Sequence, residues 1–253
     1  ATASSVAGQY SLEVSALAKA QRLVSPAGSA AVTASLAAGG TLSIELGTLS
    51  GTTGSYTYAA DSSKTLSISI AAGSTLEQVR DAINSAATDG RVTATIINGT
   101  AGKQLVLTSG QTGLANVMQL KGDTTLGTGF DFDPTGTTAS NLSQATADGG
   151  QAASNATFKI NGIAGTSSTN TVSGVLDGVT LNLLKTTATD TPTTITVSKD
   201  KTSSLTTALN AFITSYNAAN KTMASLGAYN AETKTASILT GNSTLRSAQS
   251  QVR

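Results

Sequence analysis

Large apolar residues recur at alternating intervals of four and three between Leu205 and Leu226, in LTTALNAFITSYNAANKTMASL. This is the a/d spacing of heptads, which predicts a helix that packs along another helix through a narrow seam. Thr and Asn, which are weak helix formers, dominate the positions between them, so the helix needs that packing to be stable. The predicted helical-bundle or oligomer seam comprises Leu205, Leu209, Phe212, Tyr216, Ala219, Met223 and Leu226.

A second, shorter helical pattern follows near the end of the chain, with Leu245, Ala248 and Val252 on one face. A helix of that length is marginal in water by itself. We therefore expect residues 201–253 to be a partial helical-bundle leg, whose other helices come from a segment outside this sequence or from another subunit. The alternative interpretation is an amphipathic helix that lies on the sheet of its own domain.

Several short stretches alternate apolar and polar residues, which predicts half-buried β-strands. The first of them places Tyr10, Leu12 and Val14 on one face. The strongest hairpin signal is Asp177-Gly178, because this dipeptide favours a tight turn between two strands. Phe158, Ile160 and Ile163 mark a strand around a turn at Asn161-Gly162. Further strands are predicted at 41–46, 66–70, 92–97, 103–109, 172–176, 179–184 and 193–198.

One helix is predicted between the strands at 66–70 and 92–97. Ser74 and Glu77 have the spacing of a capping box, with Ser74 as the N-cap. Asn98-Gly99 predicts a tight turn before the next strand, which completes a compact β-α-β-β segment. The inner face of this helix comprises Leu76, Val79, Ile83 and Ala86.

These elements predict an α+β fold that is mostly β, with one β-rich domain inserted in another and a helical leg after them. Residues 1–37 and 149–200 form the first β domain, and residues 38–148 form the inserted domain. The small-residue stretch 29–40 and the Gly/Thr/Asp-rich stretch 121–150 are interpreted as connections. The leg comprises residues 201–253.

Composition removes several classes of function. Charged residues make up 11% of the chain, its net charge is +1, and no cluster of Lys or Arg is present. These values argue against nucleic acid or an anionic membrane as a partner. The sequence has no His and no Cys, which removes the commonest general base, thiolate chemistry and cysteine zinc sites. We expect no metal, no cofactor and no enzymatic activity.

The remaining polar groups have simpler interpretations than catalysis. Residues 131–136 (DFDPTG) hold two carboxylates but lack the terminal Glu of an EF-hand loop, which favours a solvated turn. No S-x-x-K motif stands at a convincing helix start, so Ser62-Ser63-Lys64 and Ser198-Lys199 are interpreted as polar surface residues. Glu13, Glu45 and Glu77 each have an ordinary place on a strand or at a helix start, so a pair of catalytic carboxylates is not indicated.

Eight stretches together resemble the family of bacterial flagellar filament cap proteins, also called hook-associated protein 2, and they occur in the order of that family. Asn242 departs from the family, which usually has Asp there, and we expect its side chain to cap the last helix. The matching stretches are YSLEVSALAKAQ, LEQVRDAINSA, RVTATIINGTAGKQLVLTS, ATFKINGI, NTVSGVLDGVTLNL, TITVSKD, AFITSYNAAN and ILTGNSTLRSAQSQVR.

The resemblance implies an exported structural protein that lies outside the cell at the tip of the bacterial flagellum. Its partners would be flagellin and the filament tip, and full-length chains would form a homo-oligomeric ring. The β domains would form a plate that retains exported flagellin and promotes its folding and insertion, while the legs reach the filament end. The family's terminal coiled-coil arms are missing from this sequence, so we expect a fragment that is monomeric by itself.

Three other interpretations remain. A surface adhesin would bind host glycans or mucin through the β domains. A flagellin-like or hook-junction subunit would build long tubes or stacked rings rather than one small closed ring. A hydrolase would depend on Ser–Lys or carboxylate chemistry, which the missing His and Cys make the weakest of the three.

Overall fold

The computed structural model describes residues 5–188, 191–198 and 201–252. The chain divides between Val197 and Ser198 into two compact units. In chain order, the first unit contains β1 Gly8–Ala16, β2 Ala20–Val24, α1 Ala30–Ala38, β3 Gly40–Thr52, β4 Ser55–Ala60, β5 Leu66–Ile70, α2 Leu76–Ala86, β6 Val92–Gly99, β7 Gly102–Thr112, β8 Val117–Gly122, β9 Ala156–Ile160, β10 Ile163–Ser167, β11 Thr171–Leu176, β12 Val179–Asn182 and β13 Thr193–Val197. The second contains α3 Lys201–Gly227, β14 Tyr229–Asn230, β15 Thr235–Ala236 and α4 Ser243–Val252.

The first unit has two hydrophobic cores. Around the first core, strand β3 pairs with β4, β5 and β8, while β7 lies between β2 and β6 in a separate antiparallel sheet. Helix α2 packs against β5, β6 and β7 and buries Val79 and Ile83 there. The largest side chains fully buried in this core are Leu23, Leu42, Ile44, Leu46, Ile83, Leu105, Leu107, Met118, Leu126 and Phe130.

The second core lies under an antiparallel sheet in the order β10-β9-β1-β13, with the β11–β12 hairpin packed on it. The β9–β10 turn is Asn161-Gly162, and both residues have positive φ, as a type I′ turn requires. Gly178 also has positive φ at the β11–β12 turn. The turn predicted at Asn161-Gly162 and the hairpin predicted at Asp177-Gly178 are therefore present. The buried residues of the second core are Val14, Ala18, Ala156, Phe158, Ile160, Val172, Val179, Leu181, Leu183 and Val197.

The predicted α+β class, mostly β, is confirmed. The division into three domains stays a prediction. Leu23 and Val32 precede the boundary expected at residue 38, yet both are buried in the first core with residues that follow it. Strand β2 lies there because it pairs with β7, for example Leu23 with Leu107, a partner more than eighty residues away in the sequence.

Helix α2 begins one residue later than predicted. Thr75, not Ser74, is the N-cap: its hydroxyl accepts from the Gln78 amide at 3.3 Å, and the Gln78 side chain accepts from the Thr75 amide at 2.8 Å. The Ser74 hydroxyl donates instead to the carbonyl of Ala71 in the preceding turn. Glu77 is thereby free to pair with Lys103.

Two segments that the sequence predicts to be connections also place side chains in the first hydrophobic core. Residues 30–38 form α1, which Ser29 caps through a bond from the Val32 amide and which buries Val32 and Ser35. The stretch 121–150 is irregular beyond the end of β8, but it buries Leu126, Phe130, Phe132 and Leu142 in the first core. The turn expected at Asn98-Gly99 falls two residues later, because Gly99 itself pairs with Gly102.

Candidate assembly surface

Helix α3 carries the whole predicted seam, and its first half is uncovered. Leu205, Leu209 and Phe212 are 69%, 55% and 65% exposed. Ile213, which the heptad pattern did not include, is 45% exposed beside them. Exposed large apolar side chains at helical spacing are typical of a surface that packs on another helix.

The second half of the seam is partly covered by α4. Tyr216, Met223 and Leu226 are half-buried, whereas Ala219 is exposed. The Tyr216 hydroxyl donates to the carbonyl of Val252 at 2.7 Å, which joins the middle of α3 to the end of α4. The structure therefore leaves Leu205, Leu209, Phe212 and Ala219 exposed, and half-buries the other three seam residues. The role of the seam in a bundle or an oligomer stays a prediction.

The connection between α3 and α4, residues 228–242, is held by hydrogen bonds. The amide of Leu239 donates to the carbonyl of Leu226 at 3.0 Å, after the two-stranded β14–β15 hairpin. Asn242 accepts a bond from the amide of Leu245 at 3.1 Å, so it caps α4 as expected. At the crossing, a Cβ on Gly227 would lie 3.1 Å from Leu245 Cδ2, which shows how closely the helices approach.

The two units carry opposite charge. Residues 198–253 contain six basic and two acidic residues, a net charge of +4, whereas residues 1–197 contain nine basic and twelve acidic residues, a net charge of −3. Neither α3 nor α4 contains an acidic residue. Arg246 lines an open groove of about 700 Å³ between these helices, together with Tyr216 and Asn220. The sequence analysis did not include Arg246 among its candidate residues. The absence of acidic residues from both helices is the signal in the sequence that this surface is basic.

The loop that was compared with a calcium site is a turn held by its own carboxylate. Asp133 accepts bonds from the amide and hydroxyl groups of both Thr135 and Thr138. Burial raises the pKa of Asp133, but these bonds outweigh it and hold the pKa below its usual value. Asp131 accepts from the amide of Gly122 at 2.7 Å. No group of three or more His, Cys, Asp or Glu in the described residues could hold a metal ion.

The other candidate chemical groups form ordinary ion pairs. Lys64 pairs with Asp61 at 3.3 Å, and Lys159 pairs with Glu13 at 3.5 Å. Lys103 donates to Glu77 at 2.5 Å, and this bond lowers the pKa of Glu77 to about 2. These carboxylates therefore sit against lysines on the surface.

The Glu45 backbone carbonyl accepts a bond from the Tyr58 hydroxyl at 2.8 Å. Burial, followed by the nearby Glu45 charge, raises the pKa of Tyr58.

None of the helices among the described residues combines the length and apolarity needed to span a lipid bilayer.

Two family models match this chain. Residues 153–253 match the model of the flagellar hook-associated protein 2 C-terminus, and residues 48–111 match the flagellin hook IN motif. The B-type flagellar hook-associated protein 2 of Pseudomonas aeruginosa is 32% identical over 209 residues, which cover 79% of this chain and 40% of the relative. The chain thus spans about 40% of the length of the curated relatives it matches.

Solved structures agree with these matches. The D1-D2-D3 domains of the flagellar cap protein FliD from Escherichia coli align with 98% of this chain and 62% of that one, at 31% identity and a TM-score of 0.68. The D2-D3 domains of the same protein align with 79% of this chain and 92% of theirs, at 30% identity and a TM-score of 0.61. FliD from Pseudomonas aeruginosa aligns with 86% of this chain and 91% of that one, at 28% identity and a TM-score of 0.61.

Proposed function

Because this chain belongs to the flagellar hook-associated protein 2 family, the flagellar cap proteins, we propose that it is part of a cap at the distal end of the flagellar filament. In this proposal the full-length protein forms a ring whose β domains are a plate outside the cell. The plate retains exported flagellin and promotes its folding and insertion, and the protein performs no catalysis.

The observation that carries the proposal is the uncovered first half of the α3 seam. Leu205, Leu209 and Phe212 expose most of their side-chain surface. Burying side chains of this size stabilises a complex by roughly 2 kcal/mol each, so the surface favours a helical partner. We propose that this half of the seam belongs to the leg of the cap and is covered when the full-length protein assembles.

The proposed organisation follows the predicted domains. Residues 1–37 with 149–200 and residues 38–148 form the two β domains of the head, and residues 201–253 form part of the leg. The burial of Leu23 and Val32 in the first core supports moving the first boundary to the stretch between Ala18 and Leu23.

Surface composition supports a role in handling unfolded flagellin. With 11% charged residues, the chain depends on Thr, Ser and Asn for solubility. A polar wall with few charges attracts an unfolded chain weakly, because its electrostatic field is weak. Replacing several exposed Thr of the β domains with Lys or Phe should impair filament growth while the melting temperature stays unchanged. Unimpaired growth would count against this role.

The assembly is tested with Phe212→Asp in a longer version of the protein that carries the family's terminal arms. Asn217→Asp is the matched control, because Asn217 is exposed on α3 outside the seam and gains the same charge. Light scattering should show rings for the wild type and the control, and monomers for Phe212→Asp. Rings that persist in Phe212→Asp would remove the seam from the assembly.

Filament growth in a cap-deficient strain tests the function separately. We expect Asn217→Asp to restore growth and Phe212→Asp not to restore it. No specific contact or surface among the described residues favours the adhesin interpretation, so glycans and mucin are not part of the proposal.

A further inference from the structure

The two cores of the first unit meet at a junction made of polar groups. The chain passes from the second core to the first between Ala18 and Leu23, and it returns between Leu142 and Ala156. With only two connections, the cores could in principle rotate against each other as hinged bodies. We infer that the junction acts instead as a rigid clasp, so that the two β domains move as one body.

The two crossing segments are bonded to each other and to the first core. The amide of Lys19 donates to the carbonyl of Ser154 at 2.9 Å, and the amide of Ser154 donates back at 3.2 Å. The Lys19 carbonyl also accepts from the amide of Gly113 at 3.0 Å, at the end of β7. One residue of the crossing strand therefore joins three separate segments of the chain.

Side chains add further bonds at the junction. The Asn155 side chain, next to β9, accepts from the amide of Leu114 at 2.8 Å. The Thr112 hydroxyl, at the end of β7, donates to the carbonyl of Ser168 at 2.7 Å. The Gln151 side chain donates to the carbonyl of Ala20 at 3.0 Å. Each bond pairs a backbone donor or acceptor at the junction with a side-chain partner.

Gly113 leaves no free space at the junction. Its φ of +88° is favoured by glycine, and a Cβ there would lie 2.5 Å from the carbonyl oxygen of Ser168. The backbones of the two sides are thus in direct contact, without a side chain that could slide between them. A hinge needs a few residues that can change φ and ψ freely, whereas every segment at this junction is held by two or more bonds.

The clasp is tested by measuring the distance between the two β domains. Because the chain has no Cys, Thr48→Cys on β3 and Thr180→Cys on β12 give two specific, exposed sites for spin labels. Electron–electron resonance on the doubly labelled chain should give one narrow distance distribution. Adding Thr112→Val and Asn155→Ala should broaden this distribution and shift its mean.

Asn84→Ala is the matched control. The Asn84 side chain bonds both the amide and the carbonyl of Ala94, at 2.8 and 2.9 Å, with the same chemistry but inside the first core. It should leave the distance distribution unchanged even where it lowers stability. Circular dichroism checks that each labelled chain folds. If the labelled chain with both Thr112→Val and Asn155→Ala does not fold, the labelled chain with Thr112→Val alone supplies the milder test. A folded variant with a distribution as narrow as the wild type would overturn the inference.

Discussion

The side chain of Asn170 bonds the backbone of Ala18 as a neighbouring strand would. The Ala18 amide donates to Asn170 Oδ1 at 2.8 Å, and Asn170 Nδ2 donates to the Ala18 carbonyl at 3.0 Å. Ala18 lies between β1 and β2 and is 5% exposed, so water cannot easily replace these bonds. One amide thereby holds the start of the crossing segment against the second core.

Asn170→Ala should therefore destabilise the first unit markedly. It leaves a buried N–H and a buried C=O unpaired, and we expect a loss of about 3 kcal/mol in the free energy of unfolding. Asn170→Asp keeps the acceptor for the Ala18 amide but sets a second carboxylate oxygen against the Ala18 carbonyl, so it should destabilise the unit as well. Urea denaturation measures both, and a loss below about 0.5 kcal/mol for Asn170→Ala would show that the pair adds little.

Gly113→Ala should cost more than the same substitution at another glycine of positive φ. Both Gly113 and Gly127 have φ in the left-handed region, but only at Gly113 would the new methyl meet backbone atoms closer than 3 Å. We expect about 1 kcal/mol for Gly127→Ala and at least about 3 kcal/mol for Gly113→Ala, from the added clash. Equal losses in denaturation experiments would show that the junction relaxes around the methyl group.

The pair of Glu77 and Lys103 should make stability fall in acid. The hydrogen bond from Lys103 lowers the pKa of Glu77 from 4.5 to about 2 in the folded chain. A carboxylate with a depressed folded-state pKa stabilises the fold above its unfolded pKa and loses that contribution as protons bind. The stability difference between the wild type and Glu77→Gln should therefore be constant above pH 4.5 and shrink between pH 4.5 and about 2.

Lys103→Gln provides the control for this pair. It removes the same bond from the other side, so the double variant should lose no more than either single variant. Chemical denaturation across this pH range measures the differences. A wild-type advantage that stays unchanged down to pH 2 would contradict the assigned pKa.

The two halves of the α3 seam should respond differently to truncation in this chain. Leu226 is half-buried beside α4, whereas Leu205 is 69% exposed. Leu226→Ala should lower the local stability of α3 by about 1–2 kcal/mol, and Leu205→Ala should change it by less than about 0.5 kcal/mol. Hydrogen exchange of the α3 amides measures both. Equal effects would mean that the halves are packed alike in solution.

Local signals in the sequence were sufficient where the structure depends on neighbours along the chain. Asn161-Gly162 predicted a turn and Asp177-Gly178 predicted a hairpin, and both form, because these dipeptides favour tight turns between strands. The heptad spacing likewise predicted a long helix, which α3 confirms. The capping role of Asn242 is also a local property, since its partner is three residues away.

Tertiary structure decided what depends on distant residues. Phe130 and Leu142 lie in an irregular segment without periodicity, so nothing in their neighbours indicates that they are buried in the first core. Asn155 and Asn170 lie outside the strands that the sequence predicts. Their side chains nevertheless form hydrogen bonds with residues 41 and 152 positions away. The sequence by itself determined the turns, the strand patterns and the apolar face of α3, because these arise from backbone preferences over a few residues. The junction between the cores was decided only by folding, because it consists of hydrogen bonds whose donors and acceptors become neighbours only when the sheets are in place.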